Sequence, residues 1–269
     1  MKKHVQILIE NLKKKHRNIY VIVSPPRCSS TALARVFWQD RSIRFYSHEP
    51  FEATYYLGEN IDDVFRRLES PLDLQLLGLS INRPTGKELV IKEMPYQVGA
   101  NFPILAFLTT KPLIFLIRDP RLSIFSRMEK KKEVGGSPFF PLIETGWEII
   151  FQQIGYCRDK HIPYLILDSS EFRDYPLKVF PRLYAKIGLR FSSKQLLWQS
   201  IDDVDLDNLG GRHTHLYKRA LLSNGIQAAK ESIPSIKAFP VKGGFRSHVI
   251  KALRIYNELR NDPGKIRIR

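Results

Sequence analysis

The sequence is poor in cysteine and contains no long apolar run. Only two of its 269 residues are cysteine, Cys28 and Cys157, which is too few for a disulfide framework and fits a reducing compartment. Lys111 interrupts the longest apolar stretch before it reaches the roughly eighteen residues that a membrane-spanning helix needs. The first residues lack the apolar core and the small-residue cleavage site of a signal peptide. These absences predict a cytoplasmic protein without a transmembrane segment.

Acidic residues are scarce relative to basic ones. The chain has 27 acidic and 43 basic residues, so its formal net charge at neutral pH is +16. Such a charge attracts anions, among them nucleotides and acidic acceptors. The basic residues are spread over runs such as 13–15, 130–132 and 265–269, which is typical of solvated surfaces. Because no recognition helix and no pattern of stacking aromatic residues accompanies them, we expect no nucleic-acid partner.

The apolar content is sufficient for one large core. Hydrophobic residues make up 43% of the chain, and single α/β domains of this size are common. We therefore predict one domain over residues 1–269. Its sheet core and ligand-binding motifs would lie in residues 18–190, and residues 191–269 would be mostly helical. The pattern contains no internal repeat and nothing that indicates an oligomeric state.

The most informative stretch predicts a strand, a polar loop and the start of a helix. Residues 20–23 are apolar and mostly β-branched, two prolines end this run, and residues 32–38 have helical character. A helix N-terminus behind a short loop is an anion site, because its free N–H groups and the helix dipole face the loop. Arg27 adds a guanidinium group suited to phosphate or sulfate, and residues 29–31 add hydroxyl donors.

This loop differs from the phosphate-binding loop of P-loop kinases. That motif, G-x-x-x-x-G-K-[ST], needs a lysine where Ser30 stands when Thr31 is aligned with its last position, and both of its glycines are absent here. The cation instead precedes the hydroxyl groups, as Arg27. The missing lysine argues against a nucleotide-dependent kinase, although a kinase-like phosphotransferase on a shared fold stays an alternative.

A second segment has similar chemistry. Residues 112–117 form another apolar run, which ends in Arg118 and Asp119 before a proline. Ser126 follows Arg118 by eight positions, on a predicted helix. Taken alone, the segment also fits a strand end with a surface ion pair between Asp119 and Arg121.

Together the two segments resemble the sulfotransferases that use 3′-phosphoadenosine-5′-phosphosulfate (PAPS). The run Pro26-Arg27-Cys28-Ser29-Ser30-Thr31 is similar to the family's 5′-phosphosulfate loop, P-[KR]-S-G-[ST]-[ST], with Cys28 in place of the serine and Ser29 in place of the glycine. Arg118 and Ser126 match the arginine and serine that hold the 3′-phosphate in the family. The resemblance implies a three-layer α/β/α fold with a central parallel sheet, the P-loop NTPase-like sulfotransferase fold.

The resemblance also implies a reaction. A sulfuryl group would pass from PAPS to a hydroxyl or amine of a small-molecule or glycan acceptor, and adenosine 3′,5′-bisphosphate (PAP) would be released. The basic surface favours an anionic acceptor only slightly. No metal is required, because Arg27, Lys92 and the N–H groups of the loop would neutralise the developing charge.

The implied cofactor-binding residues come from both motifs and from two weaker matches. Lys242-Gly243 matches only the first pair of the family's K-G-x-x-G loop, and Ser169 and Ser170 follow a strand whose end lines the nucleotide site in the family. The principal residues are Arg27, Cys28, Ser29, Ser30, Thr31, Arg118, Ser126 and Lys242.

The group that would take the acceptor's proton differs from the family's. Cytosolic sulfotransferases have a histidine shortly after the lysine that matches Lys92, whereas this sequence reads Glu93-Met94-Pro95 there. Glu49 is the first candidate, because many bacterial members carry a similar E-P-F segment, and His48 and Glu93 stand behind it. A carboxylate in this role works best when partial burial raises its pKa. The missing histidine keeps a non-catalytic, sulfotransferase-like binding protein open as an alternative.

Three weaker patterns complete the predictions. Residues 1–18 predict a basic amphipathic helix, and residues 61–78 predict two short helices separated at Pro71. His213 and His215 have no cysteine or carboxylate companion at ligand spacing, so we predict no metal site there.

Overall fold

The computed structural model describes residues 2–79, 85–202 and 204–268. Within these ranges the strands are β1 (Ile19–Val23), β2 (Ile43–His48), β3 (Leu72–Asp73), β4 (Glu88–Glu93), β5 (Leu113–Ile117) and β6 (Tyr164–Asp168). They form one sheet in the order β3-β2-β4-β1-β5-β6. All neighbouring strands are parallel except the short β3, which is antiparallel to β2.

Helices connect the strands and complete the chain. In the described ranges they are α1 (Lys3–Lys15), α2 (Ser30–Trp38), α3 (Glu52–Leu57), α4 (Ile61–Glu69), α5 (Pro95–Val98), α6 (Phe102–Leu108), α7 (Pro120–Glu133), α8 (Trp147–Asp159), α9 (Ser169–Asp174), α10 (Pro176–Ile187), α11 (Thr214–Leu221) and α12 (Phe245–Arg260). Short 3₁₀ helices span Gly99–Asn101, Leu142–Thr145, Ser193–Leu196, Ile236–Ala238 and Lys242–Gly244. None of the described helices combines the length and the hydropathy that crossing a membrane requires.

Helices cover both faces of the sheet, because its central strands are apolar on both sides. Every residue of β1 and β5 is buried, as expected for parallel strands between two helical layers. Alternate residues of β1 pack with α1, α6, α8 and α12 on one face and with α2 and α10 on the other. The predicted three-layer α/β/α fold with a central, mostly parallel sheet is therefore confirmed.

The region after α4 differs from the prediction. Helix α4 begins as expected, at a capping box formed by Asn60 and Asp63, but the described residues between Pro71 and β4 contain no helix. Leu72 and Asp73 instead pair with the edge of β2, and the Asp73 carboxylate accepts hydrogen bonds from the Arg44 guanidinium at 2.8 and 2.9 Å. The apolar spacing after Pro71 therefore reflects an edge strand and a turn.

The polar segments selected from the sequence follow the carboxyl ends of neighbouring strands. Residues 24–29 follow β1, Glu49 follows β2, Lys92 and Glu93 end β4, and Arg118 follows β5. Because β4 pairs in parallel with both β1 and β2, and β1 also pairs with β5, these ends lie at one edge of the sheet. The fold thus brings together segments that are far apart in the chain.

Candidate functional site

A cavity of about 430 Å³ opens at this edge of the sheet. The loop after β1, the ends of β2 and β4, helix α7 and the segment from residue 213 to residue 231 all contribute to its wall. Eight of the residues predicted to bind cofactor or to act in catalysis line it: Arg27, Ser29, Ser30, Thr31, Glu49, Lys92, Arg118 and Ser126. The structure therefore gathers most of the predicted site around one cavity.

The loop between β1 and α2 has the backbone of an anion-binding turn. Arg27 and Ser29 have φ angles of 62° and 61°, a left-handed conformation that residues other than glycine seldom adopt. Ser29 stands where the family pattern has glycine, and the backbone explains that preference. Its side chain makes no capping hydrogen bond to α2, so the first N–H groups of the helix are left for another acceptor.

The Arg27 side chain joins the loop to α7 and α11. Its Nε donates to the Ser126 hydroxyl at 3.2 Å, and its Nη1 donates to the Leu216 carbonyl at 3.1 Å. Burial and the nearby positive charges of Arg118 and Arg219 lower the pKa of Arg27. Crowded guanidinium groups repel one another, so an anion bound among them would be stabilised.

Arg118 carries hydrogen-bonding capacity that its described surroundings do not use. Its Nη1 donates to the Arg27 carbonyl at 3.0 Å, which ties β5 to the anion loop. The buried Nε and Nη2 atoms have no hydrogen-bond partner among the described residues, although Nη2 lies 3.2 Å from a Glu231 carboxylate oxygen. Buried donors without partners are costly, and an anionic ligand would satisfy them. The residues present thus fit the 3′-phosphate that the resemblance implies.

Lys92 and Glu49 form a buried ion pair at the base of the cavity. The Lys92 ammonium donates to one Glu49 oxygen, and the Gln97 amide donates to the other at 2.9 Å. Burial alone would raise the pKa of Glu49, but Lys92 and then His48, whose Nε2 lies 3.3 Å away, hold this pKa well below its usual range. Glu49 is therefore ionised and engaged on both oxygens, so it holds Lys92 in place.

Glu93 and His48, the other two candidates for the general base, are buried outside the cavity lining. The Glu93 carboxylate accepts hydrogen bonds from the amides of Phe51 and Met94 at 2.8 and 2.7 Å, and burial followed by the nearby Glu49 charge raises its pKa well above normal. His48 is buried too, and its Nδ1 lies 2.5 Å from the Tyr46 hydroxyl. Neither residue lines the cavity.

Glu52 and His213 form a pair that the sequence analysis missed. The buried Glu52 carboxylate lies 2.6 Å from His213 Nδ1, and both residues line the cavity. The hydrogen bond to Glu52 raises the pKa of His213, while burial raises that of Glu52. Glu52 follows the E-P-F segment, but the two positions are 161 residues apart and no local motif connects them. A histidine whose Nδ1 is held by a carboxylate can take a proton at Nε2.

Carboxylate groups also surround His213 in a way that the sequence spacing did not indicate. Ligand atoms of Glu52, Asp207 and His213 lie within 4.8 Å of one another. The Asp207 carboxylate accepts hydrogen bonds from the amides of His213 and Leu209 at 2.5 and 2.6 Å. Hydrogen bonds among these groups and to the backbone hold them together, and the two carboxylates come from segments that are remote from His213 in the sequence or not spaced as its ligands.

Two predicted cofactor-binding side chains lie outside the cavity. The Cys28 thiol is fully buried in the core, 3.7 Å from the Pro26 carbonyl, and burial raises its pKa to about 12. Lys242 lies in a 3₁₀ turn, with its ammonium group 5.9 Å from the centre of the Phe139 ring, and Phe139 lines the cavity whereas Lys242 does not. Ser169 and Ser170 are also absent from the cavity wall.

Another part of the cavity wall is aromatic. It includes Tyr56, Tyr96, Phe139 and Phe140. The Arg127 guanidinium lies over the Phe140 ring at 4.5 Å and pairs with the Glu144 carboxylate. The cavity therefore has a cationic side, formed by the anion loop and Arg118, and an apolar side suited to the body of an organic molecule.

Solved structures with a similar fold include two sulfotransferase domains. The sulfotransferase domain from the curacin biosynthetic pathway is 21% identical, with 90% of this chain and 96% of that chain covered and a TM-score of 0.53. The sulfotransferase domain of the Synechococcus PCC 7002 olefin synthase is 15% identical, with 89% and 94% covered and a TM-score of 0.53. These two likenesses show that the chain has the sulfotransferase fold.

A third similar structure is that of a mouse sulfotransferase complexed with PAP. It is 12% identical, with 95% of this chain and 89% of that chain covered and a TM-score of 0.46. Comparison with protein-family models and with curated proteins found no match.

Proposed function

We propose that this protein is a sulfotransferase that moves a sulfuryl group from PAPS to a hydroxyl or amine of a small acceptor and releases PAP. One observation carries the proposal: Arg118, whose Nε and Nη2 atoms make no hydrogen bond within the described residues, lies in the same cavity as the uncapped start of α2 and the buried Lys92. Cations placed to receive two separate anionic groups are what a nucleotide with a 3′-phosphate and a 5′-phosphosulfate needs.

Different cationic residues would bind the two anionic groups of PAPS. Arg118 and Ser126 would hold the 3′-phosphate, and thereby favour PAPS over ATP. Arg27 and the N–H and hydroxyl groups of residues 29–31 would hold the 5′-phosphosulfate at the start of α2. Lys92 at the base of the cavity would face the transferring group. Lys242 does not line the cavity, so it could contact the nucleotide as predicted only if its side chain reached past the Phe139 ring.

The chain's contribution to the reaction is positioning and charge stabilisation. Bound PAPS would supply the sulfuryl group, whose bond to the 5′-phosphate breaks as the acceptor oxygen or nitrogen bonds to sulfur. Lys92 and Arg27 would stabilise the negative charge that develops on the leaving phosphate. The acceptor's proton must pass to a basic group on the cavity wall.

The geometry favours His213 as that group. Its Nδ1 is engaged by Glu52, which leaves Nε2 for the acceptor's proton. Glu49, the candidate that the sequence put first, is ionised but has both oxygens engaged and its pKa lowered by Lys92 and His48, which makes it a weak base. We assign Glu49 to the positioning of Lys92 and His213 to the proton transfer, with Glu49 as the alternative base.

The aromatic side of the cavity favours an acceptor with an apolar or ring-shaped body. Tyr56, Tyr96 and Phe140 offer flat surfaces for such a group, while the adjacent cations would tolerate an anionic substituent. A small molecule fits this wall better than an extended glycan does.

A cytoplasmic location agrees with the reducing conditions under which both cysteines stay unpaired.

Replacing Arg118 tests the assignment. Arg118→Ala should weaken PAP binding at least tenfold and leave ATP binding unchanged, because only PAP places a phosphate at the 3′ position. Isothermal titration calorimetry with each nucleotide measures both affinities. Arg121→Ala is the matched control, since its guanidinium pairs with Asp119 and does not line the cavity. Loss of ATP binding in place of PAP binding would contradict the assignment and favour a kinase-like phosphotransferase.

A further inference from the structure

A carboxylate of the chain itself lies where the proposed 3′-phosphate would bind. Glu231 is 3.2 Å from Arg118 Nη2 and 3.3 Å from Arg173 Nη1. Both arginine side chains are largely buried, at 6% and 9% exposure, whereas the Glu231 side chain is 37% exposed. All three residues line the cavity. An acidic group thus bridges two arginines on the cationic side of the site.

Arg173 was not selected by any motif, yet it is built into the site. It lies on α9, after the carboxyl end of β6, and its Nε and Nη2 atoms donate to the carbonyls of Gln227 and Ala228 at 2.8 and 3.0 Å. Burial is the largest cause of the lowered pKa of Arg173. The charge of Glu231 raises this pKa, but the positive charges of Arg118 and Arg219 lower it further. The positive charges of Arg173 and Arg118 therefore face each other, with Glu231 between them.

The segment that carries Glu231 is irregular and makes mostly polar contacts beyond Ile226. Residues 226–235 have no helix or strand, and they connect the region after α11 to the 3₁₀ turn at Ile236–Ala238. Besides the Arg173 contacts, the Ala229 amide donates to the Asp174 carboxylate at 2.9 Å. A segment held by partly exposed polar contacts opens at low free-energy cost.

We propose that Arg173 is a second arginine ligand for the 3′-phosphate and that Glu231 is an internal competitor, which occupies the two arginines in the free protein and leaves when the nucleotide binds. The inference rests on the proposed function. It explains how Arg118 and Arg173 stay close together without a ligand: the Glu231 carboxylate offsets their repulsion. A phosphate carries more charge and more acceptor oxygens than a carboxylate, so it would displace Glu231.

The competition has a direct consequence for affinity. Every binding event must first break the two ion pairs of Glu231, so the observed affinity for PAP is lower than the two arginines alone would give. Glu231→Gln should therefore tighten PAP binding, by between threefold and tenfold, since partly exposed pairs of this kind are individually weak. Binding of AMP, which has no 3′-phosphate, should change less than twofold. Arg173→Ala should weaken PAP binding at least fivefold.

The experiment is isothermal titration calorimetry of PAP and AMP into the wild type and the variants Glu231→Gln, Glu231→Ala and Arg173→Ala. Glu129→Gln is the matched control, because it removes one negative charge from α7 at a residue that pairs with Lys132 outside the cavity. The alanine variant covers the case in which glutamine keeps a hydrogen bond to an arginine.

The outcomes separate the inference from the function on which it rests. Tighter PAP binding by both Glu231 variants, with AMP and the control variant unchanged, supports the competitor. PAP binding by the wild type with no gain in either Glu231 variant overturns the inference and leaves the sulfotransferase proposal intact. If neither the wild type nor the Glu231 variants bind PAP, the proposed function fails and the competitor with it.

Discussion

At the scale of single residues, the two carboxylates of one short segment have opposite surroundings. Glu49 meets the Lys92 ammonium group, which outweighs burial and lowers its pKa, whereas burial raises the pKa of Glu52 beside His213. The first carboxylate is fixed as an ion, and the second keeps a histidine in position. Whether a side chain can act as a general base depends on its surroundings, which cannot be known from the residue type alone.

The Glu52–His213 pair predicts a pH dependence. The hydrogen bond to Glu52 is the largest cause of a raised His213 pKa, and the charges of Glu52, Asp207 and Glu49 also raise it, which outweighs the opposite effect of burial. Because a base must be deprotonated, PAP release in the presence of an acceptor should increase as pH rises through that pKa. Glu52→Gln should move the midpoint to lower pH.

The measurement is a pH–rate profile for the wild type, Glu52→Gln and His213→Gln, with a titration of the His213 ring resonances by NMR. Glu129→Gln, which removes a distant negative charge, should leave the midpoint unchanged. A profile that is flat above about pH 5 in all variants would favour Glu49 as the base, since a carboxylate with a lowered pKa is already ionised there.

The ion pair of Glu49 and Lys92 predicts a large effect on stability. Glu49→Gln leaves the ammonium group of Lys92 buried without an opposite charge, which should lower the free energy of unfolding by about 3 to 5 kcal/mol. Glu49→Gln combined with Lys92→Met should regain much of the loss, because it removes both charges. Chemical denaturation measures both variants.

Glu148→Gln provides the comparison for this ion pair. Its carboxylate forms an exposed pair with Lys251, so its loss should cost less than about 1 kcal/mol. If Glu49→Gln were as mild as this control, the buried pair would not have the structural role assigned to it.

At the scale of elements, the sequence predicts what is local and misses what is distant. The apolar runs of β1 and β5, and the polar residues that directly follow them, form continuous patterns, so both cation motifs could be recognised. Arg173, on α9, and His213, just before α11, reach the same cavity, and no local pattern marks either of them as a site residue. The end of α4 before Pro71 was predicted correctly. The pairing of Leu72 and Asp73 with β2, in contrast, depends on a neighbouring strand that local spacing does not reveal.

The loop between β1 and α2 offers a test at this scale. Ser29 has a φ angle of 61°, at which a side chain is unfavourable, and its hydroxyl makes no capping bond. Ser29→Gly should therefore raise the free energy of unfolding by up to about 1 kcal/mol, with PAP binding retained. Thermal unfolding with and without PAP measures both properties.

His161→Gly is the matched control for the loop. His161 has a φ angle of 53° and lies outside the cavity, so its replacement should give a similar gain in stability with no effect on PAP binding. A loss of stability in Ser29→Gly alone would show that the serine contributes a contact that outweighs its backbone strain.

At the scale of the whole molecule, the proposed function rests on the sheet edge, the excess of positive charge and the arginines that line the cavity. The formal charge of +16 attracts anions over long distances, and the cavity gathers several arginines, to which the proposed function assigns the two phosphate groups of PAP. The fold itself is compatible with several chemistries, so the function rests on these side chains.

The most direct test is a calorimetric titration of the wild type with PAP, ATP and AMP at one ionic strength. The proposed function predicts that PAP binds at least tenfold more tightly than either ATP or AMP, because only PAP places phosphates at both the Arg118 and the Arg27 ends of the cavity. Tighter binding of ATP, or no binding of any of the three, would contradict it and leave the sulfotransferase fold without the sulfotransferase reaction.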